Sequence, residues 1–252
     1  MKKEVILITG GTGLMGQQFA KHFTNNDWQV IITSTSKDKA QEFKDSFSKG
    51  ENIEVFFSDL TKSNAPSLLI EAINSRGIEI NHIVNNARSL KGLAMNANGV
   101  TERENFLIEY LMHVVVPYEI SMNVLRLQIE SLKTITNIGS MYGLVAANPN
   151  LYSDYLSQSP IQYGTAKAAS HHLTKELAVR FAQHNVRVNS IAYGGVEGRV
   201  DKNFKDRYAK LVPSGRMLLP EEVVGPLEFL VSDSSSSITG HTIVADGGWT
   251  IW

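Results

Sequence analysis

Short apolar, β-branched runs recur along the chain, separated by longer stretches whose apolar positions repeat with a helical period. The runs fall at residues 4–9, 28–33, 53–58, 82–85, 132–138, 186–192 and 241–246. Several, such as VILIT and TITNI, are apolar at consecutive positions, as strands covered on both faces are. Helical patterns occupy 14–25, 38–48, 101–131, 162–182 and 221–232. This alternation predicts βαβ units, and so an α/β fold with a doubly wound parallel sheet and helices on both faces. No repeat, low-complexity linker or boundary interrupts it, and residues 1–252 are read as one domain. Two stretches, 87–100 and 144–159, lack periodicity and are rich in Asn, Ser, Pro and Gly. Both follow strand ends, where open α/β sheets bind ligands, and a substrate cleft is expected between 144–159 and 203–213.

Composition removes several classes of function. The chain is 19% charged with a net charge of −1, so it lacks the basic surplus of a partner for nucleic acid or an anionic membrane. It has no cysteine, hence no disulfide, thiolate metal site or thiol nucleophile, which suits a cytoplasmic protein. The first apolar run is too short for a signal peptide, and nothing approaches the ~20 apolar residues of a membrane span. His171 and His172 are adjacent and point to different helix faces, as packing or interface residues do; no metal is expected.

The first strand runs into Gly10-Gly11-Thr12-Gly13-Leu14-Met15-Gly16 and then a helix. Glycines let the backbone turn tightly and approach a pyrophosphate, and the helix N-terminus offers free N–H groups and a positive dipole end. At the first βα turn this is the context that dinucleotide binding requires. After the second strand, where a carboxylate would hold the ribose diol of NAD, stand Ser34, Thr35, Ser36 and Lys37. Hydroxyls beside an ammonium suit a 2′-phosphate better than a diol, so NADP is expected ahead of NAD; a solvated loop is the alternative. Asp59-Leu60 ends the third strand, where a carboxylate can accept from an adenine amino group. Asn85, Asn86 and Ala87 end the fourth, where side-chain amides can tie strands together beside the cofactor.

Tyr163 and Lys167 lie at i and i+4 on one face of a helix. A free tyrosine titrates at about 10 and is a poor base at neutral pH. A neighbouring ammonium and a positive nicotinamide ring favour the phenolate, which can then exchange a proton with a substrate oxygen. Ser140 follows the fifth strand, where its hydroxyl can bind the reacting oxygen or simply cap a turn.

In their order, the glycine turn, Asp59, Asn85-Asn86-Ala87, Ser140, Tyr163-x-x-x-Lys167, the segment from Val186 to Ala192 and Asp246-Gly247-Gly248 resemble the short-chain dehydrogenase/reductase family. The resemblance covers essentially the whole chain. It implies a seven-stranded Rossmann sheet and an NAD(P)-dependent oxidoreductase acting on an alcohol/carbonyl pair. Tyr163 is then the acid/base, Ser140 the donor to the substrate oxygen, and Lys167 the ribose ligand that eases proton loss from the tyrosine. Gly10, Thr12, Gly13, Leu14, Met15, Gly16, Ser34, Thr35, Ser36, Asp59, Leu60, Asn86, Ala87 and Val196 join Tyr163 and Lys167 around the cofactor. A homotetramer is the implied assembly, a homodimer the next.

Four residues depart from the family pattern. Leu14 stands where the single-domain branch has a glycine, and the Gly10, Gly13, Gly16 spacing resembles the larger sugar-nucleotide-modifying branch. Arg88 replaces a glycine, and Tyr193 a proline before the loop that reaches Val196. His113 replaces the catalytic asparagine, whose role is to stabilise a helix kink whose carbonyl holds a relay water. His113 could leave that carbonyl in place, pass protons itself, or only pack. The long segment with Asn148, Asn150, Tyr152 and Tyr155, and the Trp249–Trp252 end, resemble enzymes of flagellin-glycan and surface-sugar gene clusters. A small polar substrate, sugar or nucleotide-sugar in kind, is the reading; an ordinary lid for any polar substrate is the alternative. The competing functions are a sugar-nucleotide epimerase or dehydratase and a dinucleotide-binding regulator or scaffold.

Overall fold

The structure, a computed structural model, describes residues 3–47, 49–96, 98–198 and 200–252. Seven strands form one sheet: β1 (Val5–Ile8), β2 (Gln29–Ser34), β3 (Ile53–Phe57), β4 (His82–Asn85), β5 (Thr134–Ile138), β6 (Arg187–Tyr193) and β7 (Thr242–Ala245). All pairings are parallel, in the order β3-β2-β1-β4-β5-β6-β7. The strand runs read from the sequence match these within two residues at each end. The helices are α1 (Leu14–Asn25), α2 (Lys37–Asp45), α3 (Ala65–Ser75), α4 (Arg103–Tyr110), α5 (Val116–Gln128), α6 (Tyr155–Gln158), α7 (Ile161–Phe181), α8 (Lys202–Leu211) and α9 (Val224–Val231).

Side chains alternate across each strand and so feed two cores. Leu7, Ile31, Ile83, Ile135 and Val188 pack with α3, α5 and the end of α7. Ile6, Ile8, Val30, Ile32 and Ile191 pack on the other face with α1 and α9. Strand order reverses between β1 and β4, which opens a crevice at their carboxyl ends, the expected ligand position. No helix among the described residues is long and apolar enough to cross a membrane.

Three helical readings change. The 38–48 pattern becomes α2, ending at Asp45; Ser48 lies outside the described residues. The 101–131 pattern is broken: α4 passes into a π-helical segment, Leu111–Val115, before α5 and a closing 3₁₀ turn. An extra residue per turn shifts the buried face without altering the apolar character, so periodicity alone does not expose it. The 221–232 pattern opens as a 3₁₀ turn, Pro220–Val223, before α9.

Candidate active site

The turn after β1 is built for close backbone approach. Gly10 has φ +65°, and a Cβ there would lie 2.9 Å from Ala87 Cα. Gly16 packs as tightly, its would-be Cβ 2.4 Å from the Gly10 carbonyl. Thr9 and Asn86 lock the turn. Thr9 Oγ1 accepts from the Asn86 and Ala87 amides (2.9 and 3.0 Å), and Asn86 Nδ2 donates to the Thr9 and Gly10 carbonyls (2.9 and 3.1 Å). Gly13 starts α1, no side chain caps that end, and its first turn has no acid. A Cβ on Gly13 would meet only the Gly10 carbonyl, at 3.3 Å. An open glycine cradle, uncapped N–H groups and the dipole end fit a dinucleotide pyrophosphate. Thr12, Leu14 and Met15 stand half-buried around it. Leu14, the departure from glycine, packs against the loop beyond β6, where a Cβ on Gly198 would sit 3.0 Å from Leu14 Cδ2.

The Ser34 and Ser36 hydroxyls both have partners within the protein. The Ser34 hydroxyl lies 3.2 Å from Thr12 Oγ1, donates to the Ser36 carbonyl at 3.0 Å and accepts from the Ser36 amide at 3.1 Å. The Ser36 hydroxyl caps α2 by accepting from the Lys39 amide at 3.3 Å. Thr35 and Lys37 are exposed at the N-terminus of α2 and free to face an anion, with the Lys37 ammonium 5.7 Å from the Phe57 ring centre. Asp59 Oδ1 accepts from the Thr61 hydroxyl and amide (2.7 and 3.1 Å), and the hydroxyl bond leads in lowering its pKa. Leu60 is buried beside it.

Lys167 is the most constrained of the candidate catalytic residues. It is buried, and its ammonium donates to the Ile138 carbonyl at 2.5 Å, at the end of β5. Burial first, then the positive charge of Arg88, bring its pKa down to about 7, while Glu109 pulls the other way. Its Nζ lies 5.7 Å from the Tyr163 ring centre. Ser140 is buried after β5, and its hydroxyl accepts from the Tyr142 amide at 3.2 Å; α7 packs on the turn Met141–Gly143 that follows. His171 supports this turn from below. It sits where a Cβ on Gly139 or Gly143 would be, and its Nε2 accepts from the Ser140 amide at 3.4 Å. Burial holds it neutral, with a pKa near 4, as an acceptor must be. His171 therefore packs, as expected.

His113 lies in the π-helical segment Leu111–Val115. Its ring meets Tyr163 edge to face at 5.9 Å, and burial pushes its pKa well below the ordinary value. Tyr193 turns away from the site: it is buried in the core on the α9 side, and its hydroxyl donates to the Val223 carbonyl. The loop to Val196 is braced instead by Tyr208 Oη, which accepts from the Gly195 amide at 2.9 Å, and by the bridge of Val196 to Leu218.

Asn85 ties two strands as expected, its Nδ2 donating to Asn137 Oδ1 (2.8 Å) between β4 and β5. Sequence reading missed other supports. Asn137 Nδ2 donates to Thr174 Oγ1 (2.9 Å), extending the link to α7. Gln162, fully buried, donates to the Gly92 carbonyl at 2.8 Å and accepts from Thr101 at 2.8 Å, fixing the 87–100 segment on α7. Glu109 was missed altogether. The available signal was its i, i+4 spacing to His113.

The expected cleft between 144–159 and 203–213 is packed shut. Arg207 Nε donates to the Leu151 carbonyl at 2.6 Å, and Leu151, Tyr208 and Val212 share an apolar cluster with Tyr152 and Phe204. A cavity of about 460 Å³ opens instead between 142–161 and α7, walled by Tyr142, Leu144, Tyr152, Tyr155, Leu156 and Thr165 among others.

A sequence profile described as enoyl-(acyl carrier protein) reductase matches residues 13–250. The chain belongs to the short-chain dehydrogenase/reductase family of nicotinamide-dependent oxidoreductases. Over 120 residues it is 37% identical to the post-translational flagellin modification protein A of Campylobacter coli, covering 48% of this chain and 47% of that protein. A short-chain dehydrogenase of Leptospira borgpetersenii serovar Hardjo-bovis (strain JB197), solved with NAD+, superposes with a TM-score of 0.88 at 25% identity, over 99% of this chain and 94% of that one. ElxO, solved with NADP, superposes with a TM-score of 0.86 at 26% identity over 100% of both chains.

Proposed function

We propose that the protein reduces or oxidises a small polar, sugar-derived carbonyl or alcohol with NADP in preference to NAD. The observation that carries the chemistry is Tyr163 beside a buried Lys167 that is pinned to the end of β5. When bound, the nicotinamide supplies or accepts the hydride. Tyr163 Oη gives the substrate oxygen its proton in reduction and takes it back in oxidation, and Ser140 Oγ hydrogen-bonds the same oxygen. Lys167, held by the Ile138 carbonyl, fixes a positive charge by the tyrosine and reaches the nicotinamide ribose. Gly10, Gly13 and the first turn of α1 bind the pyrophosphate.

The sugar reading draws support from the likeness to the flagellin modification protein and from the Tyr142 and Tyr152 hydroxyls, paired at 2.8 Å. A panel of keto-sugars, sugar alcohols and nucleotide-sugars, assayed with NADPH and NADP+, tests it. Turnover confined to apolar ketones refutes the sugar reading, and cofactor binding with no turnover on any of them favours the regulator.

For the cofactor, the relatives solved with NAD+ and with NADP leave the choice to residues 34–37. Thr35, Lys37 and the α2 terminus should make NADPH bind about 10-fold or more tighter than NADH, the scale of one charge-assisted hydrogen bond. Lys37→Ala should remove most of the difference in a fluorescence titration. Tighter NADH binding by the unaltered protein overturns the preference.

Assembly as a homotetramer, or next a homodimer, is supported by exposed apolar side chains on α4, α5 and α7: Phe106, Leu107, Tyr110, Tyr118, Ile161 and Val179. Light scattering at micromolar concentration should give four or two chain masses; a single mass contradicts it.

A further inference from the structure

Glu109 is the least explained group in the molecule. It lies on α4, one turn before His113, and is 1% exposed. Neither carboxylate oxygen receives a hydrogen bond among the described residues. His113 Nε2 stands 3.2 Å from Oε2, within ion-pair distance but not at a hydrogen-bonding angle. The fold makes room for this carboxyl: a Cβ on Gly92 would fall 2.4 Å from Oε1. A buried acid without partners is destabilising unless charge compensates it, so its surroundings should hold the compensation.

They do. The elements packed against α4 are the turn Lys91–Leu93, which follows Arg88, the π-helical segment and α7. They bring Arg88 and Lys91, then His113, then Tyr163, Lys167 and His171. Of these, Arg88 and Lys167 favour ionisation of Glu109, against the burial that leads in raising its pKa. The same cations flank Tyr163, the Arg88 guanidinium 5.4 Å and the Lys167 ammonium 5.7 Å from the ring centre. His113, kept neutral, adds no charge. Two cations at one tyrosine would repel each other, and Arg88 works against the charge on Lys167. Of the groups around Lys167, the buried Glu109 is the one whose charge favours the ammonium.

We propose that Glu109 is a positioning residue of this active site: its buried carboxylate offsets the positive charge of Arg88 and keeps Lys167 an ammonium beside Tyr163. It touches neither substrate nor cofactor and acts through Lys167. The proposal rests on the oxidoreductase reading for its purpose, but the charge coupling is measurable without cofactor or substrate.

The experiment is an NMR pH titration of the protein labelled with [13Cε]lysine, with the Lys167 signal identified as the one lost in Lys167→Arg. The unaltered protein should show a Lys167 midpoint near 7. Glu109→Gln should move it down by about one unit or more, Arg88→Gly should move it up, and His113→Asn should leave it within about half a unit. A midpoint that stays put or rises in Glu109→Gln overturns the proposal. Should that variant fail to fold, the coupling is read in reverse: in [13Cδ]glutamate-labelled protein, Lys167→Met should raise the Glu109 midpoint, and no movement overturns it. Where turnover is found, Glu109→Gln should shift the acid limb of the pH–rate profile with Lys167, and Glu109→Asp should restore part of the shift. Absence of turnover removes the oxidoreductase reading and leaves the titration result standing.

Discussion

Tyr163→Phe should bind NADPH or NADH as the unaltered protein does while turnover falls about 10³-fold, the usual worth of a positioned acid/base. The substitution removes one oxygen and leaves the ring. Contacts of that ring with Lys167 at 5.7 Å, Arg88 at 5.4 Å and His113 at 5.9 Å survive, so the wall of the site stays in place. Ser140→Ala is a less clean test. The Ser140 hydroxyl also accepts from the Tyr142 amide, so its loss disturbs the turn that α7 packs on. Steady-state rates with cofactor fluorescence titration separate the two effects. A Phe variant turning over at near the original rate refutes Tyr163 as acid/base. Parallel loss of affinity and rate would place its hydroxyl in binding instead.

The sheet was legible in the chain because parallel strands buried on both faces must be apolar at consecutive positions. The runs around Leu7, Ile31 and Ile135 carry that signature. The placement of Ser140 after a strand and of Tyr163 and Lys167 on one helix was legible as well, since strand ends and i, i+4 spacing fix where they stand. What escaped depends on residues distant in sequence. Glu109 reads as a solvated helix acid, and its burial follows only from Gly92, Arg88 and Lys167 arriving from other elements. The partners of the Ser34 hydroxyl, Thr12 and Ser36, were not foreseen either, since Thr12 arrives from the turn after another strand. The packed 144–159 and 203–213 segments were mistaken for a cleft because Leu151, Phe204 and Tyr208 show their apolar pairing only in three dimensions.

The second large effect is on stability in mild acid. Three of the seven histidines, His82, His113 and His171, are buried. Burial brings His82 down to about 4 although the Glu4 carboxylate pulls upward. Burial, then the charges of Lys167 and Lys175, bring His171 to about 4. His113 is lowered too, by burial first and Lys167 next. Unfolded histidines titrate at about 6.5, so below that pH the unfolded chain binds protons that the folded chain refuses. Stability is therefore full above about 6.5 and is lost as pH falls towards 4. Glu109 opposes this in part, because a raised carboxyl takes up its proton more readily when folded. The two histidines near 4 together remove about 4–6 kcal/mol over that span, against a usual total of about 5–15. Urea midpoints measured from pH 7.5 to 4.5 should fall steeply below 6.5, and His82→Gln should make the fall shallower by close to one proton. A midpoint flat between pH 6.5 and 5 would mean these rings either titrate normally or stay neutral in the unfolded chain.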